Sequence, residues 1–162
     1  MKKVWLIFVL MLVLSGCRAE ETFETVQDSY EQMAISQKAL TFTVPADAAT
    51  QVFHSENGSL YFCDGYEIVV QTLAGGDLDR TLRSLTGFGR DDLTVVEMMT
   101  GNCMRYECAW VAAGEGGDQV GRTAILDDGQ YHYCLSVLTS ADDAGSLQES
   151  WKEIFLSLDL QS

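Results

Sequence analysis

The chain has 162 residues, 10 Lys and Arg against 24 Asp and Glu, and a formal net charge of −14. That balance excludes nucleic-acid binding, which needs clustered basic residues, and electrostatic docking on anionic lipid heads. The length suits one domain with a short appendage, and an apolar content of 47% is enough to fill a core.

The first element is an export signal. Lys2 and Lys3 precede an unbroken apolar run, Val4 to Leu14. As a helix this run would span roughly 17 Å, well short of a hydrocarbon core of about 30 Å. It is therefore of signal-peptide length and too short for a stable membrane span. The run ends Leu14-Ser15-Gly16-Cys17. Ordinary signal peptidase needs small residues at −1 and −3. Gly16 satisfies the first, but Leu14 does not satisfy the second. The segment instead resembles the bacterial lipobox, in which the Cys sulfur receives diacylglycerol and the chain is then cut before it. The resemblance implies cleavage between Gly16 and Cys17 and lipid attachment at Cys17, a site for palmitate-type acyl chains. Residues 1–16 are then removed, two Lys are lost, and the mature balance becomes −16. Two acyl chains on one residue meet the requirement for stable anchoring.

Residues 17–37 read as the lipidated Cys followed by an acidic tether. Glu20, Glu21, Glu24, Asp28 and Glu31 are interspersed with a few widely spaced apolar residues. As a flexible coil this stretch reaches roughly 25 Å. A solvated spacer that holds an acidic body away from an acidic membrane fits those charges.

Residues 38–162 form one domain written as hairpins followed by a helix. Ala39 to Val44, stopped by Pro45, is a first strand. Asn57-Gly58, Asp64-Gly65, Gly101-Asn102 and Asp128-Gly129 suit two-residue turns, which need the positive φ that Gly, Asn and Asp tolerate. They separate strands at 52–55, 59–63, 66–73, 94–100, 103–113, 120–127 and 130–139, an antiparallel meander in two blocks. Between the blocks Asp77 can cap a short helix with Leu78, Leu82 and Leu85 on one face. After the second block Ala144, Leu147, Trp151, Ile154, Phe155 and Leu158 recur at helical spacing behind Ser140-x-x-Asp143, a loose capping box. A loop at 114–118 pairs Cys108 with Ala124, and a turn at 128–129 pairs Tyr133 with Ala124. One sheet face then holds Tyr106, Cys108, Trp110, Ala124, Leu126, Tyr133, Leu135 and Val137 and receives the C-terminal helix. The other face carries Arg105, Glu107, Thr123, His132, Cys134 and Ser136 and is the wetter one.

This order resembles the PsbP-type domain found in small lipid-anchored proteins of Gram-positive bacteria. The residues that carry it are the opening Leu40-Thr41-Phe42-Thr43-Val44-Pro45, the helix after Gly75-Gly76-Asp77, the strands holding Gly121-Arg122-Thr123-Ala124 and Tyr131-His132-Tyr133, and the final Trp151-Lys152-Glu153-Ile154-Phe155. The resemblance covers roughly residues 38–160. It implies an α+β fold: an antiparallel meander of about six to eight strands, a short helix after the first block and a C-terminal amphipathic helix packed on the sheet. Such domains mostly act as accessory or binding modules. The resemblance carries no family active site onto this chain.

Chemistry is sparse. Cys63, Cys103, Cys108 and Cys134 lack metal-ligand spacing and are expected to be mostly buried thiols. Cys108 and Cys134 fall on opposite faces on this register, while Cys63 with Cys103 or Cys134 stays open as a disulfide. His132, with Ser136 on its face and Glu107 near, is the nearest approach to a catalytic set, and it reads as a surface strand histidine. Asp77-x-Asp79, Asp91-Asp92, Asp127-Asp128 and Asp142-Asp143 could offer oxygens to Ca²⁺, but without EF-hand spacing. Gly114-Glu115-Gly116-Gly117 lacks the ending of a phosphate loop. Arg122 lies opposite Trp110 on this register. It is either an Arg stacked on indole or an Arg that binds an anion or small ligand. The expected function is that of a membrane-anchored, extracytoplasmic, non-enzymatic accessory or binding module with no cofactor, held to the membrane through Cys17 and free to meet a protein partner. The alternative is a lipoprotein that binds a solute or cation, such as Ca²⁺ or a small anion. A hydrolase comes last.

Overall fold

The computed structural model describes residues 37–161 apart from 47, 49, 56, 115 and 116, and only the backbone of 50–55. Gly16, Cys17, the export signal and nearly all of the tether therefore lie outside the described residues, as does the side chain of His54. Lys38–Ser162 form one compact unit.

Its described residues form nine strands and two α-helices: β1 (Ala39–Thr41), β2 (Thr50–Ser55), β3 (Gly58–Phe62), β4 (Tyr66–Ala74), α1 (Leu78–Thr86), β5 (Val96–Thr100), β6 (Cys103–Ala112), β7 (Gln119–Asp127), β8 (Tyr131–Ser140), α2 (Gln148–Leu156) and β9 (Asp159–Gln161). Seven strands form one antiparallel sheet in the order β2-β3-β4-β8-β7-β6-β5. Two meanders are thus joined where β4 pairs with β8. β1 and β9 pair with each other in a small second sheet. The α+β class, the meander and the two helices are those that the sequence pattern predicts.

The helices form for local reasons. The Asp77 side chain accepts the backbone N–H of Arg80 at 3.1 Å, which satisfies one of the free donors of the first turn of α1. Gly87 ends the helix at φ 82°, a left-handed conformation that glycine adopts without a Cβ penalty. α2 starts later than its apolar spacing suggests. Ser140 and Asp143 do contact one another, with Oγ–Oδ2 at 2.7 Å and Asp143 N–H donating to Ser140 Oγ at 3.2 Å. They close a series of turns, however, and regular helix begins only at Gln148. Trp151, Ile154 and Phe155 then face the sheet, buried.

Register is where the structure departs from the sequence reading. The loop between β6 and β7 runs over 113–118, one residue longer than the expected 114–118, so Cys108 pairs with Thr123, not with Ala124. A one-residue slip moves every side chain of a strand to the other face. Tyr106, Cys108 and Trp110 consequently leave the α2 side and join Ile125 and Cys134 beneath α1. Between β7 and β8 the turn shifts by one residue in each strand, so Tyr133 pairs with Leu126. That change of two keeps the face, and Ala124, Leu126, Tyr133, Leu135 and Val137 pack under α2 as predicted.

The face read as wetter is a second core. α1 covers it with Leu82, which is fully buried, supported by Leu78 and Leu85. Its polar residues satisfy one another. Trp110 Nε1 donates to Thr123 Oγ1 at 3.2 Å, Thr123 and Ser136 hydroxyls are 2.9 Å apart, and Thr81 Oγ1 and His132 Nδ1 share a bond of 2.7 Å. His132, expected at the surface, is 1% exposed.

Gly121 is the seat of Trp110. A Cβ at this position would lie 2.3 Å from the indole carbons. Gly121→Ala should therefore push the ring out of place and cost about 1–3 kcal/mol, read as a lower urea midpoint with unchanged slope.

Candidate functional site

The structure separates the two residues that the sequence brings together. Arg122 pairs with Ala109 and Trp110 with Gly121, so adjacent register positions put Arg122 on the α2 side and Trp110 on the α1 side. The aromatic beside Arg122 is Phe155 of α2, whose ring centroid is 4.2 Å from the guanidinium carbon. The Arg122–Trp110 corner does not exist.

What exists is a charged cluster between β6, β7 and the end of α2. Arg105 Nε donates to Glu107 Oε1 at 2.8 Å, and a terminal nitrogen of Arg122 donates to Glu107 Oε2 at 2.6 Å. Arg105 also donates to the Phe155 carbonyl at 2.6 Å, one of the carbonyls left open at the C-terminal end of a helix. Arg105 is buried, so Glu107 acts as its counter-ion, and the cluster fastens α2 to the sheet.

Next to the cluster a groove of about 440 Å³ runs between β6–β7 and the start of α2. Ala109, Val120, Ala144 and Trp151 supply its apolar wall, and Arg122, Gln148, Glu149 and Lys152 its polar lining. Four further clefts among the described residues have volumes of about 260, 260, 220 and 180 Å³. The groove falls within the size range of small-ligand sites. Trp151 is buried, and its indole N–H has no acceptor among the described residues. Lys152 Nζ lies 3.6 Å from Glu149 Oε2 in an exposed pair. Sequence spacing had placed Trp151 in the core stripe. The sign that it also lines a cavity, its proximity to the Ala144-Gly145 turns, depends on where α2 begins.

The remaining candidates have structural duties. His132, Ser136 and Glu107 are not assembled. His132 and Ser136 lie under α1, bonded to Thr81 and Thr123, whereas Glu107 faces α2. Asp127 Oδ2 is 3.6 Å from His132 Nε2, but both His132 and Thr81 are buried. Cys108 and Cys134 share the α1 face, contrary to the opposite faces predicted, on strands separated by β7. Burial pushes their thiols up to about 11 and about 12, which leaves them poor nucleophiles at neutral pH. Cys103 is buried and Cys63 half-buried.

The acidic pairs serve caps and turns. Asp79 Oδ2 accepts from Arg83 Nε at 2.8 Å, and its other oxygen accepts the Arg90 N–H. Asp92 accepts the Gly89 N–H, and Asp127 the Gly129 N–H. Asp128 holds the turn before β8 by accepting from the N–H groups of Gln130 and Tyr131, and it also binds Tyr133 Oη and faces Lys38 Nζ at 3.4 Å. Burial pushes the Asp128 carboxyl up, but these donors outweigh it and hold it below its ordinary value. Among the described residues no group of His, Cys, Asp and Glu could hold a metal ion, and no helix is long and apolar enough to cross a membrane.

No family model matches the sequence, and no curated protein matches it. Solved structures do share the fold. One from Bacteroides thetaiotaomicron is similar with a TM-score of 0.53 and 15% identity over 76% of this chain. This chain spans 45% of the length of that protein. LpqN, involved in cell envelope biogenesis of Mycobacterium tuberculosis, is similar with a TM-score of 0.50 and 11% identity, over 78% of this chain and 85% of its own. The Saccharomyces cerevisiae Ran-binding protein Mog1p gives a TM-score of 0.44 at 14% identity, over 76% of this chain and 95% of its own.

Proposed function

We propose that the protein is a lipid-anchored, extracytoplasmic lipoprotein whose PsbP-like domain works as a non-enzymatic accessory or binding module. The observation that carries this reading is Leu14-Ser15-Gly16-Cys17 directly after a basic start and a short apolar run. It supplies both an address and an attachment atom, the Cys17 sulfur. The fold supports the reading, because LpqN, a protein involved in cell envelope biogenesis, has a similar one. The side chains able to do chemistry support it as well. Buried His132 is bonded to Thr81, Glu107 is shared between two arginines, and burial raises the thiols of Cys108 and Cys134 to about 11 and about 12.

Cells expressing the full chain and fed radioactive palmitate should incorporate label into a membrane-bound product. Cys17→Ala should abolish the label and leave an uncleaved precursor. Labelling that survives this substitution would sink the proposal.

A further inference from the structure

We infer that the free edge of β5 docks an extended segment of another protein, one that adds as a further strand, alternates apolar side chains and carries a basic flank. This inference rests on the reading of the domain as a binding module and gives that module a partner chemistry.

The seven-stranded sheet ends in two edges, β2 and β5, and they are guarded differently. The unpaired N–H and C=O groups of an edge are a template for another chain, so natural sheets blunt it with a bulge, a Pro, a Lys or an inward charge. The β2 edge has a break in register between Gln51 and Phe53. β5 has none: Val96 to Thr100 pair with Glu107 to Cys103 in unbroken register. The strand holds no Pro and no Lys, and its one charge, Glu97, is paired with Arg90. Thr100 and Cys103 close the two-residue turn Gly101-Asn102. Antiparallel bonding alternates from that pair, so the N–H and C=O groups of Glu97 and Met99 point outward.

The side chains specify what the edge takes. Val96, Met98 and Met99 are 53%, 40% and 66% exposed, an apolar surface on a single edge strand. Val96 and Met98 pair with Glu107 and Arg105 and so share the α2 side, which calls for apolar side chains at alternate positions of the added strand. The Arg90–Glu97 ion pair folds the turn Arg90–Asp92 back beside β5. Asp91 and Asp92, both exposed, thereby join Glu97 at the edge, and Arg90 is the one cation among these carboxylates. On a chain of charge −14 that surplus selects a basic partner and disfavours a second copy of the same acidic chain. Main-chain bonds to β5 supply affinity, and the alternate side chains and the flank supply specificity.

The probe is the peptide acetyl-KRVTVTV-amide, titrated into the full chain in phosphatidylcholine nanodiscs, whose lipid carries no net charge to draw the peptide. Hydrogen exchange, read by mass analysis of proteolytic fragments, reports on the edge directly. Saturating peptide should slow the Glu97 and Met99 amides at least about tenfold and leave those of β2 unchanged. Met99→Pro removes an outward N–H at an edge, where Pro is tolerated, and should weaken binding at least about tenfold. The same peptide N-methylated at its Val and Thr amides cannot bond to an edge, and it should bind the parent chain at least about tenfold more weakly whether or not the Pro variant folds. The peptide acetyl-QQVTVTV-amide should bind about fivefold more weakly. No slowing at Glu97 and Met99, equal slowing in β2, unchanged affinity in folded Met99→Pro or full affinity of the N-methylated peptide would each overturn the edge. Equal affinity of acetyl-QQVTVTV-amide would overturn the basic flank. Edge amides already protected without peptide would overturn the partner. Protection that grows with protein concentration assigns the edge to a second copy, and protection independent of it assigns the edge to residues before 37 of the same chain. Palmitate labelling of Cys17 reads out independently, so failure of the anchor and failure of the edge are distinguishable.

Discussion

Glu107→Ala should destabilise the domain by about 3 kcal/mol or more, a large part of the roughly 5–15 kcal/mol that holds a domain of this size together. Glu107 is the shared counter-ion of Arg105 and Arg122, with side-chain exposures of 13% for Glu107 and 9% for Arg105. Removing the carboxylate strands a guanidinium that cannot lose its proton and that water barely reaches. The damage spreads to α2, because Arg105 also donates to the Phe155 carbonyl and Arg122 lies over the Phe155 ring. Glu107→Gln keeps one acceptor and the side-chain volume, so it should cost less. Urea unfolding of the three proteins gives the comparison directly. A loss under about 1 kcal/mol for Glu107→Ala would place the cluster with ordinary surface ion pairs.

The second large effect belongs to the other face. Leu82→Ala should cost about 2–5 kcal/mol, since Leu82 is fully buried and the space it leaves cannot collapse freely. α1 has only 9 residues, too few to persist as an isolated helix, so its stability is its packing. Loosening it should uncover Cys108 and Cys134 together. Maleimide labelling at pH 8 followed by peptide mass analysis should therefore show both thiols reacting far faster in Leu82→Ala than in the parent chain, where burial suppresses them. Leu156→Ala, at a position 76% exposed, should leave stability and labelling unchanged. Equal labelling of Cys134 in all three proteins would contradict α1 as the lid of this core.

Most of the element order was legible because local chemistry decides it. Asp77 and Gly87 bracket α1, glycine turns separate the strands, and the apolar stripe of α2 persists whatever surrounds it. Pairing register was not legible, since it depends on how many residues a loop absorbs. Counting five residues at 114–118 put Trp110 across from Arg122, where the six-residue loop at 113–118 puts it across from Gly121. A clue was present. A glycine inside a strand marks a close approach, and Trp110 needs a partner without a side chain. Read that way, Gly121 fixes the slip, moves Arg105 and Glu107 to the α2 side, and accounts for Arg122 as part of an ion cluster. The second core was obscured for a different reason. Thr123, His132 and Ser136 look solvent-facing one by one, and only three-dimensional pairing shows that they and Trp110 spend their hydrogen bonds on neighbouring side chains. Of the site, the pairing of Arg122 with Trp110 was wrong: the ring beside Arg122 is Phe155 of α2, whose packing no strand register could supply.

The β1–β9 seam bears on how force enters the domain if it is held from its N-terminal side. β1 is the first strand of the compact unit and pairs only with β9, through Ala39, Leu40 and Thr41. Lys38, just before it, is clasped by Tyr133 and Asp128 at the turn into β8. A pull arriving through residue 37 would load these three residue pairs and that clasp first, and through Tyr133 of β8 it would pass into the seven-stranded sheet.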